Sequence, residues 1–510
     1  MKTHIRRRRS VAILATMVAT LLAISGCSAL SGGGEAPSQE LTVAFSQEII
    51  GLDPYGTTNA HQALHMVDRQ VFDTLVVRDE ATGEYVPSLA EEWSQPDPLT
   101  WEFSLRDAKF HDGTPVTADD VVADLEKLTS TTTPLSRLWT QLDYATALDD
   151  STLQIVTKTP LGTMLANLAL LYVAPAAAID SPDFANHPIG SGPFQMESYT
   201  PGTGVTLTAY PDYWNGAPKL QKLSFIDIPD ESARLTALRN GEVDIVWVVS
   251  PDQVGEVASD PGIRVENVDA YAYYFLWFNS AQAPFDDVRV RQAMWHAVDV
   301  ESVISDLYGD AAGPMRSPLP SAVFGSSKET PYEYDPELAK KLLAEAGYPD
   351  GFSTSVILAQ GSSPLILQQA QAYASYWAKI GVDVQVEALP QAVWLERLLA
   401  LDWPMDLQEN SVLTGDADYT LGRLYTSGAN RNGYHNPKLD DILARAAAST
   451  DQADRAELYG QANKIIWDDA VGIFPASQRD TYAISSDVQG FAPSPNRFPL
   501  FSDVSIGATQ

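Results

Sequence analysis

Apolar positions in this 510-residue chain recur with two periods. Leu41-Thr42-Val43-Ala44-Phe45 and the alternating Trp101-Glu102-Phe103-Ser104-Leu105 predict strands, the second half-buried. Residues 60–73, apolar at Leu64, Val67, Val71 and Phe72, predict a helix. Asp112-Gly113 supplies turn residues that tolerate positive φ, and Thr117-Ala118-Asp119-Asp120 has the form of a capping box opening another helix. Asp335-Pro336-Glu337 combines an N-cap with proline at the first helical position. Leu338, Leu342, Leu343 and Ala346 make that helix's stripe, and Gly347 with Pro349 ends it. From Val265 to Asn279 the residues Tyr271, Tyr273, Phe275, Trp277 and Asn279 share one face, while Tyr274, Leu276 and Phe278 share the other. Both faces are apolar, which predicts a central strand covered on both sides.

Strand and helix patterns alternate throughout, so the fold class is mixed α/β, and no repeat of fixed period points to a solenoid or propeller. The length exceeds what one core fills, since cores stop growing at roughly 250–300 residues, and two or three domains are expected. With 11 Trp, 21 Tyr and 16 Phe the chain has ample material for packed cores, which argues against disorder. The net charge of −33 repels phosphate backbones and excludes nucleic acid as the expected partner. A single cysteine excludes an internal disulfide and any Cys-based zinc or redox motif.

That cysteine, Cys27, ends the run Ile24-Ser25-Gly26-Cys27. It follows a basic stretch (Arg6 to Arg9) and an apolar run from Val11 to Ile24. These are the parts of an export signal. At about 14 residues the apolar run falls short of the roughly 20 that cross a ~30 Å hydrocarbon core, which disfavours a permanent span. The spacing resembles the lipobox of bacterial lipoproteins, which implies lipidation of Cys27, a signal peptide over 1–26 and a mature chain held to the membrane by acyl groups. Residues 27–40, small, polar and glycine-rich at their start, read as a flexible tether. Loss of residues 1–26 removes five basic residues and no acid, taking the charge from −33 to −38. Paired arginines at Arg8-Arg9 leave both general and twin-arginine export open.

Several blocks, in order, resemble the solute-binding proteins of ABC importers, family 5, the peptide, dipeptide and nickel class. Ala90-Glu91-Glu92-Trp93, then Trp101 through Gly113, then Pro115-Val116-Thr117-Ala118-Asp119-Asp120-Val121 form the most signature-like stretch. Further blocks are Leu52-Asp53-Pro54, Val71-Phe72-Asp73-Thr74-Leu75, Gly190-Ser191-Gly192-Pro193-Phe194, Gly241-Glu242-Val243-Asp244-Ile245 and Pro284 through Ala293. Tyr334-Asp335-Pro336-Glu337 and Gly433-Tyr434-His435-Asn436-Pro437 extend the similarity to about residue 500. Most of these residues set turns and cap helices and mark fold, not ligand; His111 reads as a hairpin corner.

The resemblance implies a two-lobed periplasmic-binding-protein-like fold of type II. Lobe I takes residues 41–83, 188–268 and 480–510, an additional domain takes 84–187, and lobe II takes 269–479. Hinge strands are implied near Val265–Tyr273 and Arg479–Ile484. It further implies a monomeric receptor, exported and lipid-anchored at the outer face of the cytoplasmic membrane or in the periplasm. Such a receptor closes over a small solute, a peptide or other amine-bearing compound, and hands it to a membrane permease. In peptide-binding relatives an aspartate in a Trp-x-Ala-Asp-Tyr-like motif pairs with the ligand's ammonium. Gly415-Asp416-Ala417-Asp418-Tyr419 puts Asp418 on the acid position, with Asp416 a second choice. Glycine replaces the expected tryptophan, and no proline follows Tyr419. Arg423 is a candidate for a ligand carboxylate or for an ion pair with Asp416 or Asp418. Trp247, Phe275, Trp277, Thr57, Thr58 and Asn59 fall where relatives place cleft-lining residues.

A metal chelate such as nickel, or an oligosaccharide stacked on Trp247 and Trp277, is the alternative solute. His61 and His65, spaced i, i+4 on the first helix, face one side of it with no third ligand nearby, and His435 is a further histidine of interest; no resident metal or cofactor is expected. The chain lacks a Gly-x-Ser-x-Gly elbow, a His-Glu-x-x-His motif and a phosphate-cradling glycine loop, which disfavours a secreted hydrolase. A surface signalling or chaperone protein on the same fold is a third class.

Overall fold

The computed structural model describes residues 38–507 apart from Ala81 and Ser362, and the export signal, Cys27 and the tether up to residue 37 lie outside the described residues. Two sheets organise it. The larger has eleven strands. Its order is Val382–Leu389, Phe352–Ala359, Met405–Ser411, Ile263–Phe278, Gly472–Ser485, Ile245–Trp247, Glu40–Phe45, Lys222–Asp227, Gly204–Ala209 and Phe194–Thr200, with Ala312–Pro314 added beside Gly472–Ser485. The smaller is a four-stranded antiparallel sheet drawn entirely from residues 90–157, in the order Ala90–Asp97, Thr100–Leu105, Thr152–Thr157 and Leu142–Asp149.

The sequence patterns locate these elements. Thr100–Leu105 buries Trp101, Phe103 and Leu105 and turns the residues between them outward, as strict alternation requires. Gly113 turns the next corner at φ +85°, a conformation open to glycine without strain. Helix Ala118–Thr129 then opens with the Asp120 carboxylate accepting the Thr117 backbone N–H at 2.9 Å. Helix Pro336–Glu345 is capped by Asp335, whose side chain accepts the Leu338 N–H at 2.9 Å, and Gly347 at φ +98° ends it. The first helix, Gln62–Val71, is shorter than its apolar period because His61 and Phe72 are extended.

Buried apolar side chains fall into two large clusters. One draws only on residues between Tyr271 and Ala476; the other draws on residues 41–247 and 482–504. Among the described residues two long strands, Ile263–Phe278 and Gly472–Ser485, run from one cluster to the other, and they pair antiparallel along their length. Their register slips between Asp269 and Tyr273, where the clusters part, and there Arg479 forms a 2.8 Å ion pair with Asp269. Residues 270–278 are all buried, as a strand apolar on both faces demands, whereas 263–269 are partly open. No helix of the described residues is long and apolar enough to cross a membrane.

Candidate functional site

Three cavities converge on the segment Leu413–Tyr419, between the two core clusters. The largest, about 510 Å³, has one wall from residues 134–167 and the other from residues 414–447. A second, about 350 Å³, is lined by Gln47, Ala60 and Gln62 on one side and Glu409, Asn410 and Tyr419 on the other, with Gln478 and Arg497 at its floor. A third, about 140 Å³, reaches Arg78 and Tyr271. Tyr419 borders the first two, Thr414 the first and third, and Leu413 and Phe498 the second and third. The walls mix polar and apolar side chains, and the third cavity is rich in aromatic ones, among them Phe72, Tyr172, Tyr213 and Trp214.

Asp416 and Asp418 stand two residues apart at the start of helix Ala417–Leu424 and have opposite surroundings. Asp416 is buried and caps the helix by accepting the Asp418 N–H at 3.0 Å. Both of its oxygens accept from Arg455, each at 2.9 Å. That bidentate pair leaves no ionic valence for a ligand, so Asp416 is a structural residue and not the second-choice contact. Asp418 is half-buried, borders the largest cavity, and accepts a hydrogen bond from the Tyr459 hydroxyl at 3.2 Å. Burial, and the neighbouring Asp416 charge, push its carboxyl up to about 6, against the opposing pull of Arg455 and Tyr459. A carboxylate in this state gains from any cation that enters the cleft.

Tyr419 and Arg423 lie on the same helix and face the same cavity. Arg423 donates to the Tyr419 carbonyl at 3.1 Å and to Asn410 Oδ1 at 3.3 Å, and its guanidinium rests 4.7 Å from the Tyr419 ring centroid. The ion pair with Asp416 or Asp418 that the sequence left open is not formed. Arg455, 39 residues beyond Asp416, takes that place.

The other candidates sit elsewhere. Phe275 and Trp277 lie in the Tyr271–Ala476 core, where Trp277 donates its indole N–H to the Tyr425 hydroxyl at 3.0 Å and stacks on Trp403; neither lines the cleft. The strand carries them past the gap into the lobe interior, which is why both of its faces are apolar. Trp247 is buried beneath the cleft floor, stacked on Tyr482, with its N–H 3.4 Å from Asp480. Asn59 is buried and tied to Thr133 Oγ1 at 3.0 Å and to the Leu135 N–H at 3.2 Å, a structural cross-brace. Thr57 is exposed and Thr58 half-buried, and the cavity wall begins just beyond them, at Ala60 and Gln62. His65 is a core histidine. Burial lowers its ring to about 3, its Nδ1 lies 3.1 Å from the Tyr172 hydroxyl, and it packs on Phe498. Among the described residues no group of three His, Cys, Asp or Glu side chains is arranged to hold a metal ion. His435 is exposed, and His111 links the hairpin to the loop opposite through Gly190 and Gly192.

Sequence reasoning missed the floor. Arg497, at φ +71°, pairs with Asp480 at 2.6 Å and donates to Gln478 at 2.6 Å, and Gln478 in turn donates to Glu409 at 2.9 Å. A left-handed arginine held by a buried carboxylate is a locally strained arrangement of the kind that concentrates at ligand clamps. Its only sequence signal is Asn496 before it in a proline-rich tail, which reads as a loop.

Known proteins supply the remaining evidence. Residues 84–432 match the bacterial extracellular solute-binding proteins, family 5 Middle. The glutathione-binding protein GsiB of Pectobacterium atrosepticum is 29% identical over 498 residues, covering 92% of this chain and 94% of that protein. The structure of HbpA2 from Haemophilus parasuis superposes with a TM-score of 0.83 at 27% identity, over 92% of this chain and 100% of that one. The periplasmic binding protein DppA from Helicobacter pylori, in complex with the peptide STSA, superposes with a TM-score of 0.76 at 27% identity, over 92% and 98%. The two-lobed architecture, the cleft between its cores and this match over most of the chain have one meaning: the chain belongs to the bacterial extracellular solute-binding proteins of family 5.

Proposed function

We propose that this chain is the solute-binding component of an ABC importer, closing its two halves over a peptide or other amine-bearing solute and passing it unaltered to a membrane permease. The observation that carries this reading is Asp418. Its carboxylate borders the cleft without an arginine of its own, while its neighbour Asp416 holds Arg455 in a bidentate pair. A ligand ammonium supplies the missing countercharge. Tyr419 and Arg423 border the same space, and Arg423 offers its guanidinium to a ligand carboxylate. The relatives support the class of solute: one is named for glutathione, and another is in complex with a peptide.

Closure uses the paired strands as the hinge. The two lobes correspond to the two core clusters, with lobe I over 41–83, 188–268 and 480–510, the additional domain over 84–187, and lobe II over 269–479. The ligand stabilises the closed form through contacts made only there. A monomer anchored through acyl groups on Cys27 keeps the cleft beside its permease, and no step calls for catalysis. The test is mass spectrometry of small molecules that copurify with the protein lacking residues 1–37, joined to a thermal-shift panel of dipeptides, oligosaccharides and nickel chelates. A stabilising dipeptide is expected, by mass action on the folded form. Chemical conversion of the bound compound, or stabilisation by sugars alone, refutes the reading.

A further inference from the structure

The largest cavity has arginine on both walls. Arg137 comes from the short 3-10 helix Leu135–Trp139 on one side, and Arg423 from the helix Ala417–Leu424 on the other. Arg431, half-buried in the loop that follows that helix, lies behind this lining and not in it, and burial, together with the charges of Arg423 and Arg137, disfavours its protonated form. This convergence of like charge is unusual in a chain carrying −33. The arginines paired to carboxylates are others, among them Arg397, Arg455 and Arg497. Two carboxylates share the cavity, and neither forms an ion pair with Arg137 or Arg423. Asp440 accepts the Ser427 backbone N–H at 2.7 Å, and Asp418 answers electrostatically to Asp416 and Arg455. Guanidinium groups that face one another from opposite walls of a cleft, with a third behind them, repel, and an anion between the walls turns that repulsion into attraction.

We propose that Arg137, Arg423 and Arg431 form an anion subsite completed only when both walls of the cleft meet, selecting solutes that carry more carboxylates than amines, such as acidic peptides. The inference rests on the peptide reading above and narrows it: the ammonium end goes to Asp418 and the surplus carboxylate to the arginines. It also gives the additional domain a role, because Arg137 is its contribution to selectivity.

L-alanyl-L-glutamate and L-alanyl-L-glutamine are nearly isosteric and differ by one carboxylate. Isothermal titration calorimetry on the protein lacking residues 1–37 is expected to show the glutamate dipeptide bound at least about tenfold tighter, with the ratio shrinking as sodium chloride is raised from 20 to 500 mM, roughly as screening shortens from above ten to a few ångströms. In the double variant R137Q/R423Q, which removes the arginine from each wall and is checked for folding by circular dichroism, the ratio is expected to fall to within about twofold of unity, as deletion of the charges lining the cavity requires. Equal binding of the two dipeptides by the unaltered protein, or an unchanged ratio in the double variant, overturns the inference alone. Binding of neither dipeptide overturns the peptide reading, and the inference with it.

Discussion

Gly162 touches the opposite half through its backbone, and replacing it with alanine tests whether closure is part of binding. Its backbone N–H donates to the Ala447 carbonyl at 2.8 Å, across the gap to the end of helix Pro437–Ala448. An added Cβ would sit 2.0 Å from the Ser449 carbonyl oxygen, 2.9 Å from Arg455 Nε and 3.1 Å from the Ala447 oxygen. Two of those three are backbone atoms, so the neighbour cannot simply rotate away. The closed form therefore loses a hydrogen bond, about 1 kcal/mol net, and takes on overpacking of about 1–3 kcal/mol. The open form loses nothing, because the clash is with the opposite half. A penalty of about 2–4 kcal/mol on the closed form alone enters the binding free energy directly and weakens a ligand roughly 30- to 700-fold. Gly460→Ala is the control. Nothing lies within 4 Å of its added methyl, and in a helix interior the change stabilises by about 0.5–1 kcal/mol without touching the gap. Calorimetric titration with the best dipeptide, alongside thermal unfolding of the ligand-free variants, separates the cases. Gly162→Ala with native unfolding temperature and native affinity refutes the claim that this contact belongs to the ligand-bound state.

Asp418→Asn is expected to weaken an amine-bearing dipeptide by at least about 1.4 kcal/mol, tenfold, while raising the unfolding temperature of the ligand-free protein at pH 8, since it removes an ionised group that burial opposes; unchanged affinity removes Asp418 from the site. Binding of the same dipeptide is expected to fall as pH drops below about 6, where the Asp418 carboxyl takes up its proton, and an affinity constant from pH 7.5 to 5 speaks against an ammonium–carboxylate pair. Arg455→Met leaves Asp416 buried without its partner and is expected to cost about 3–5 kcal/mol in urea unfolding; a loss under 1 kcal/mol contradicts the reading of Asp416 as structural. Stability is expected to fall as pH rises from 6.5 to 8. Buried Asp68 and Asp124 sit well above the ordinary carboxyl range and Asp406 is raised to about 7, all chiefly by burial, so the folded chain holds protons that the unfolded chain has released. Below pH 6.5 the trend flattens, because His65 and His111, lowered by burial to about 3 and 4, stay neutral while their unfolded counterparts charge. Asp68→Asn, which replaces a carboxyl whose two oxygens lack hydrogen-bond partners, is expected to reduce the slope of unfolding temperature against pH above 6.5; an unaltered slope rules Asp68 out as a contributor.

The parts of this molecule legible in its sequence are those that local chemistry decides. Alternation at Trp101–Leu105, the acid at Asp120 and the cap at Asp335 are short-range signals, and the apolar faces of Val265–Asn279 mark a central strand. The cleft is a different matter. Its walls bring Gln47 and Gln62 against Glu409 and Asn410, residues more than three hundred positions apart, and no periodicity connects them. The aromatic run told that Phe275 and Trp277 are covered on both faces but not by what; core and cleft give the same pattern until Tyr425 and Trp403 are found to be the cover. The motif around Asp418 points to a segment that borders the cleft, and what distinguishes its two acids is Arg455, whose place opposite Asp416 is set by the packing of helix Gln452–Asp468.

A receptor of this kind has to close on its ligand and remain willing to open without it, which limits how strongly its halves can attract each other. The two apolar clusters here are separate, so neither has to be broken when the gap widens. Across the gap the Gly162–Ala447 hydrogen bond is backbone to backbone, worth about 1 kcal/mol net. Nearer the paired strands the Tyr271 hydroxyl bonds Arg78 and Glu80, and Arg497 donates to Gln478, so what holds an empty closed form is a small set of polar contacts. Facing them are cavities of about 140 to 510 Å³, the largest with an arginine on each wall. A ligand that fills the volume, pairs with Asp418 and sits among the arginines reverses each of these terms at once. It does so only in the closed geometry, because Asp418 and Arg137 stand on opposite walls. On the proposed function, the asymmetry between Asp416, held by Arg455, and Asp418, bordering the cleft, extends to the whole gap: charges satisfied within one half build the lobes, and charges left at the gap are what a ligand would use to bring them together.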